Sequence, residues 1–216
     1  MNLEIIHVGL LGTNCYVTWD DNKNCVVVDC GGDAQKVADF INERGFTPTH
    51  LLLTHGHGDH MGGAADLKDL FPQIQIVLGE KDLEMIGDGE KSMSNAVAPY
   101  ARPFVPDILV KDGDRIVSGS MTFTVMETPG HTRGGVTYIK NNELYCGDTL
   151  FQGSMGRTDL EGGSSDAMNA SLRKLAKLPI PRETQVLPGH GEFSTFGEEL
   201  DNNYFIRSAQ RGNADF

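Results

Sequence analysis

The sequence runs to 216 residues with 39% hydrophobic content, enough for one sizeable core, and a single domain over residues 1–216 is expected. A formal net charge of -12 argues against nucleic acid as a partner, because phosphate binding needs a basic face that releases counterions. No apolar run approaches the length of a membrane span, and Met1-Asn2-Leu3-Glu4 lacks the basic and apolar regions of a signal peptide. A soluble, cytoplasmic chain without membrane contact is therefore expected.

Leu3 to Val8, Asn14 to Trp19 and Cys25 to Asp29 are rich in strand-forming residues, and Asp20-Asp21-Asn22-Lys23 suits a hairpin between the second and third. Asp33 is placed to cap a helix running to Arg44, with Val37, Phe40 and Ile41 on its buried stripe and Gly45 as its stop. Thr49 to Leu53 returns as a strand. A second helix is predicted from about His60 to Leu70, ended by Pro72, followed by a strand over Gln73 to Leu78 and a short helix over Glu80 to Ile86. Gly87 to Asp107 has no sustained period and carries Pro99, Pro103 and Pro106, the pattern of a lid, a binding loop or disorder. Within it, Met93, Tyr100 and Phe104 either line a pocket or pin the loop to the body.

From Ile108 the composition turns to strands again, with turns at Lys111-Asp112-Gly113-Asp114, Ser118-Gly119-Ser120 and Asn141-Asn142. Asp166 is placed to cap a helix to about Lys177, with Met168, Leu172 and Leu175 as its buried stripe. Thr195-x-x-Glu198 is a capping-box signature that opens a final helix, with Leu200 and Tyr204 on one face. Strands, helix, strands, helix suggest two sheets packed face to face with helices outside.

The densest chemistry is Thr54-His55-Gly56-His57-Gly58-Asp59-His60, directly after Leu51-Leu52-Leu53. Neutral imidazoles and carboxylates are the ligands that suit zinc and similar divalent ions. In extended chain, side chains two apart share a face, so His55 and His57 can grip one ion while Asp59 and His60, past the turn, serve a second. Histidine occurs only 7 times in the chain, so chance clustering is a poor explanation. Three further strand-like runs, Met121 to Glu127, Glu143 to Cys146 and Thr184 to Leu187, are each followed by a Gly- or Pro-marked turn and then by His131, Asp148 and His190. Each residue alone would be an ordinary loop residue. Together they supply what a binuclear site at one sheet edge requires. Cys15, Cys25, Cys30 and Cys146 show no paired spacing and read as small buried hydrophobes, although Cys146 is close enough to Asp148 to be weighed as a thiolate ligand.

The run His55-x-His57-x-Asp59-His60, with His131, Asp148 and His190 in that order, resembles the metallo-β-lactamase superfamily and, more closely, its glyoxalase II-like branch. Thr13-Asn14-Cys15-Tyr16 and Gly156-Arg157-Thr158-Asp159 fit the same resemblance, and the latter is also similar to the persulfide dioxygenases. The resemblance implies an α/β fold, a four-layer αβ/βα sandwich of two mostly antiparallel sheets with helices on the outer faces. It implies one metal held by His55, His57, His131 and Asp148, and a second by Asp59, His60, His190 and the same Asp148 as bridge.

The expected activity is hydrolysis of a hydroxyacyl thioester of the S-2-hydroxyacylglutathione kind by a hydroxide bridging two divalent ions, zinc first and iron or manganese as alternatives. Asp59 is a candidate to take the proton as well as bind metal, and Arg157 is the candidate substrate-binding residue, with an ion pair to Asp159 as its plainer role. The chain continues 26 residues beyond His190, room for about one helix, so help from a glutathione-binding helical extension is in doubt. The alternatives are a mononuclear iron persulfide dioxygenase and a non-catalytic metal-binding module. A zinc β-lactamase of the kind that places cysteine where this chain has Asp148 is disfavoured. Each ligand imidazole should have a hydrogen-bond partner on its other ring nitrogen, which the sequence does not identify.

Overall fold

The computed structural model describes residues 2–212. Its first sheet follows chain order: β1 (Leu3–Val8), β2 (Thr13–Trp19), β3 (Asn24–Val28), β4 (Thr47–Leu52), β5 (Gln75–Gly79) and β6 (Ile108–Val110). It opens antiparallel through β1, β2 and β3 and is parallel from β3 to β6. β7 (Arg115–Ser118), β8 (Met121–Glu127), β9 (Val136–Lys140) and β10 (Glu143–Gly147) begin the second sheet. The small ribbon β11 (Leu150–Phe151) and β12 (Ser154–Met155) follows, and β13 (Gln185–Pro188) and β14 (Ser194–Thr195) complete the second sheet in the order β14-β13-β10-β9-β8-β7. There only the β10–β13 pairing is parallel.

Side chains of a strand alternate between faces, and both faces of each sheet are covered, so the central strands read as continuous apolar runs. Val26 and Val28 of β3, Leu52 of β4 and Val77 of β5 meet Phe123, Val125, Tyr138, Tyr145 and Leu187 of the opposite sheet. Their neighbours Cys25, Val27, Leu51, Ile76 and Leu78 point the other way, into a layer with Val37, Ala38 and Ile41 of α1 (Ala34–Arg44) and Leu67. On the far side, Leu144, Cys146 and Val186 pack under Met168, Leu172 and Leu175 of α5 (Ser165–Leu175). The sandwich of two sheets with helices outside is thus realised, with both sheets mixed.

Several helix boundaries differ from the pattern reading, for local reasons. Asp33 precedes α1 but its side chain does not cap it. With φ 48° it turns away, and its Oδ2 accepts the N–H of Gly9 at 3.0 Å. Gly45, at φ 64°, stops the helix as expected. The helix expected over His60 to Leu70 is two pieces, α2 (Gly58–Met61) and α3 (Ala64–Leu70), broken at Gly62-Gly63. The helix cap expected of Asp166 belongs to Ser164, whose hydroxyl accepts from Ala167 N. The capping box of Thr195 and Glu198 is formed and opens α6 (Phe196–Asn202). Asn203 then recaps the chain as α7 (Tyr204–Arg211), so Tyr204, 64% exposed, starts a new helix instead of sharing one helix face with Leu200.

Between α3 and β6, Glu80–Met85 forms a 3₁₀ turn and Ser94–Val97 forms α4. The long loop around α4 is both pinned and pocket-forming. Tyr100 OH donates to Gly31 O at 2.8 Å and Phe104 packs on the α1 layer. Tyr100 also lines, with Leu10, Asp33 and Leu70, a cavity of about 600 Å³.

Candidate metal centre

All the sequence-predicted ligands stand at one edge of the sandwich, because the strands that carry them end there. β4 gives way to Leu53-Thr54 and then to His55, His57 and, in the first turn of α2, Asp59 and His60. β8 leads to His131, β10 to Asp148 and β13 to His190. The seven side chains fall into three overlapping groups, each with its ligand atoms within 4.8 Å of one another: His55, His57 and His131; His55, His60 and Asp148; Asp59, His60 and His190. Asp148 lies between the outer two. Its Oδ2 is 3.4 Å from His131 Nε2 and 3.8 Å from His190 Nε2, and its Oδ1 is 3.3 Å from His60 Nε2.

The outer nitrogen of three imidazoles has a partner that determines the tautomer. Asp29, at the end of β3, accepts Thr54 N at 2.8 Å on Oδ1 and the Thr54 hydroxyl at 2.8 Å on Oδ2. That hydroxyl has given up its only proton, so towards His55 Nδ1, 3.1 Å away, it acts as acceptor. His55 therefore carries its proton on Nδ1 and directs the Nε2 lone pair inward. Asp29 Oδ2 also receives His60 Nδ1–H at 2.8 Å, and the backbone carbonyl of Arg157 receives His131 Nδ1–H at 2.8 Å. His60 and His131 thus present Nε2 to the centre in the same way.

Such a set fits a cation. His131 Nε2 lies 2.9 Å from His57 Nδ1, and His60 Nε2 lies 3.3 Å from His190 Nε2. Among the described residues, His55 Nε2 and Asp148 Oδ1 are buried and find no hydrogen-bond partner. A Cβ at position 189 would lie 2.3 Å from Asp148 Oδ1 and 2.4 Å from His60 Cε1, so only glycine lets the turn before His190 pass this close to the ligands. Inward lone pairs and carboxylates this close repel unless positive charge lies among them.

The proton affinities say the same. Burial, reinforced by neighbouring imidazoles, holds His55 well below the usual histidine value and His57 down at about 3. Burial would lower His60 too, but Asp148, Asp59 and Asp29 outweigh it and raise His60 well above that value. Burial opposes ionisation of Asp59 and Asp148, and the surrounding imidazoles overcome it and lower both. The centre keeps Asp59 and Asp148 charged and His55 and His57 neutral, the state in which these groups can ligate a divalent ion.

Arg157 contributes in an unexpected way. Its carbonyl orients His131, while its guanidinium is bidentate to Asp159, at 2.7 Å to each oxygen. Cys146 turns away from the centre: its Sγ–H is directed at Leu150 O and Leu187 O within the α5 layer. The sequence places Asp29 at a strand end and Thr54 beside the histidines but gives neither an orienting role, the available signal being that Asp29 closes a strand at the same edge before Gly31-Gly32. Asn14 was noticed only as part of a motif. Its Nδ2 donates to Pro188 O at 3.1 Å and Gly191 O at 3.0 Å, bracketing His190.

A family model, the metallo-β-lactamase superfamily, matches residues 8–190. Hydroxyacylglutathione hydrolase GloC of Haemophilus influenzae is 34% identical over 96% of this chain and 99% of that protein. Among solved structures, BLEG-1 B3 metallo-β-lactamase superposes with a TM-score of 0.87 at 36% identity, covering 94% of this chain and 99% of its own. TTHA1623 in a di-iron-bound form gives 0.82 at 32% identity, with 94% and 99% covered.

Proposed function

The chain belongs to the metallo-β-lactamase superfamily, and from that premise we propose that it is a binuclear metal-dependent hydrolase that opens a hydroxyacyl thioester of the S-2-hydroxyacylglutathione kind. The observation that carries this reading is Asp148, whose two oxygens reach towards His60 on one side and His131 on the other. His55, His57, His131 and Asp148 would hold one ion, and Asp59, His60, His190 and Asp148 would hold the second. Zinc suits these imidazoles and carboxylates, and the di-iron form of a 32% identical structure supports iron as the alternative.

Divalent ions bound there would acidify a water and polarise an acyl carbonyl. The chain supplies the rest. His190 is the most open of the ligands, its side chain 27% exposed against about a tenth for Asp59 and Asp148, so substrate enters on that side. Asp59 is kept ionised by His60 and His190 against the cost of burial and is the group poised to take a proton from the attacking water. Arg157, after release from the exposed Asp159 pair, binds a carboxylate on the substrate.

A mononuclear iron dioxygenase leaves Asp59, His60 and His190 without a task, and their close grouping favours the two-ion reading. A β-lactam is the second substrate to weigh, because the 36% identical BLEG-1 structure carries the name of a β-lactamase. Both reactions attack an acyl carbonyl and differ in the leaving group, a thiolate or an amine. The name of the Haemophilus influenzae relative favours the thiolate. The deciding experiment is thiol release from S-2-hydroxyacylglutathione by metal-replete protein, repeated after chelation and beside a chromogenic cephalosporin. Chelation-sensitive thiol release is expected. Turnover of the cephalosporin alone would overturn the thioester assignment, and oxygen uptake with glutathione persulfide would overturn the hydrolase.

A further inference from the structure

We propose that Asp82, which belongs to no motif and touches no ligand atom, is the positioning residue that assembles the His55-His57-His131 half of the centre. The inference rests on the two-ion reading above. Asp82 lies in the 3₁₀ turn after β5 and is 1% exposed. Its Oδ2 accepts Gly56 N at 2.9 Å, the peptide between His55 and His57. The same oxygen accepts the Thr132 hydroxyl at 2.7 Å, next to His131. Its Oδ1 accepts Gly134 N at 2.6 Å. One carboxylate thus ties a loop from the first sheet to a loop from the second, where His57 Nδ1 and His131 Nε2 stand 2.9 Å apart.

The chemistry calls for a carboxylate. All three neighbours are donors, and hydrogen bonds to an ionised acceptor are about twice as strong as neutral ones. An asparagine in its place turns an NH₂ against Gly134 N–H or against the Gly56 and Thr132 donors, so one loop must withdraw. The other half of the centre is held separately. Asn14 brackets His190 through Pro188 O and Gly191 O, its own N–H donates to Gly189 O at 2.8 Å, and Tyr16 OH donates to Pro188 O at 2.7 Å. The two clamps share no residue, so each should govern one ion.

The test is stepwise metal affinity, measured by chelator competition with Zn²⁺ and by the visible bands of Co²⁺-loaded protein, for wild type, Asp82→Asn, the milder Thr132→Val, and Asn14→Ala. Loss of an outer partner of a metal site typically costs 10–100-fold in affinity. Asp82→Asn should weaken one equivalent by that factor and shift its Co²⁺ band, Thr132→Val should do so by less, and Asn14→Ala should weaken the other equivalent. Equal weakening of both equivalents by Asp82→Asn and Asn14→Ala, or unchanged constants in folded Asp82→Asn or Thr132→Val, would overturn the inference. Should Asp82→Asn not fold, Thr132→Val decides alone. Wild type that binds a single equivalent would overturn the two-ion reading instead. Asp82 is then judged on that equivalent: a drop supports it and no change overturns it.

Discussion

Asp148 Oδ1 lies 3.3 Å from His60 Nε2, while its other oxygen, Oδ2, lies 3.4 Å from His131 Nε2. This places one carboxylate between two imidazole sets, each of which combines a loop after β4 of the first sheet with a loop of the second. Asp148→Ala removes the group that both ions would share, while the strands that deliver it stay in place. Thioester turnover should fall by at least about a hundredfold, a loss of order 3 kcal/mol in transition-state stabilisation, with the circular dichroism spectrum unchanged. Near-wild-type turnover in that variant would remove the bridging role.

Thr54 tests the orienting network without replacing a ligand. Its hydroxyl donates to Asp29 and accepts from His55, so Thr54→Val keeps the volume and frees His55 to change tautomer or rotate. Metal affinity should drop about 10–100-fold, with turnover restored at high metal concentration. Restoration is the informative arm, since a defect in the chemistry itself would persist under saturating metal.

The ligands were legible in the sequence because they follow strands at glycine- and proline-marked turns, and the order of residue types along the chain carries through to one sheet edge. The outer partners were not, because orientation depends on which strand ends become neighbours. Asp29 and His60 are 31 residues apart and Asp82 and Thr132 are 50 apart, and no local period relates them. The helix boundaries were misplaced where a second polar residue competed for the cap, as Ser164 did with Asp166, or where a glycine pair, Gly62-Gly63, interrupted a good apolar pattern. The two faces of β3 and β4 could be foreseen as buried, but not which layer each residue enters, since that depends on register.

Chelated protein should show a stability maximum near the ordinary histidine pKa, and the sign follows from three imidazoles. His55 and His57 are held low in the folded chain by burial and neighbouring imidazoles. Their contribution is present above the unfolded value and is lost as pH falls below it. His60 is raised, because Asp148, Asp59 and Asp29 outweigh its burial. Its contribution is full below the unfolded value and is lost as pH rises through the folded one. The melting temperature of the chelated chain should therefore climb by several degrees from pH 5 to about 6.5 and decline towards pH 9. Metal-replete protein, with every ligand deprotonated, should lack the alkaline decline. A chelated melting curve that keeps rising to pH 9 would contradict the placement of His60 among its three carboxylates.

Arg157 separates a side chain from its own backbone. The carbonyl that holds His131 is retained in any substitution, so Arg157→Ala leaves the metal centre assembled and tests the guanidinium alone. The pair with Asp159 is exposed on both sides, and exposed pairs contribute little to stability, so the melting temperature should move by no more than a degree or two. If the guanidinium swings from Asp159 to a carboxylate of the bound thioester, KM rises several-fold with kcat unchanged, because such contact holds ground state and transition state alike. That is the expected result for a substrate bearing a carboxylate, and it should vanish for an uncharged thioester analogue, whose KM with wild type and variant should coincide. An unchanged KM for both substrates would leave Arg157 as the surface partner of Asp159 and place carboxylate recognition elsewhere.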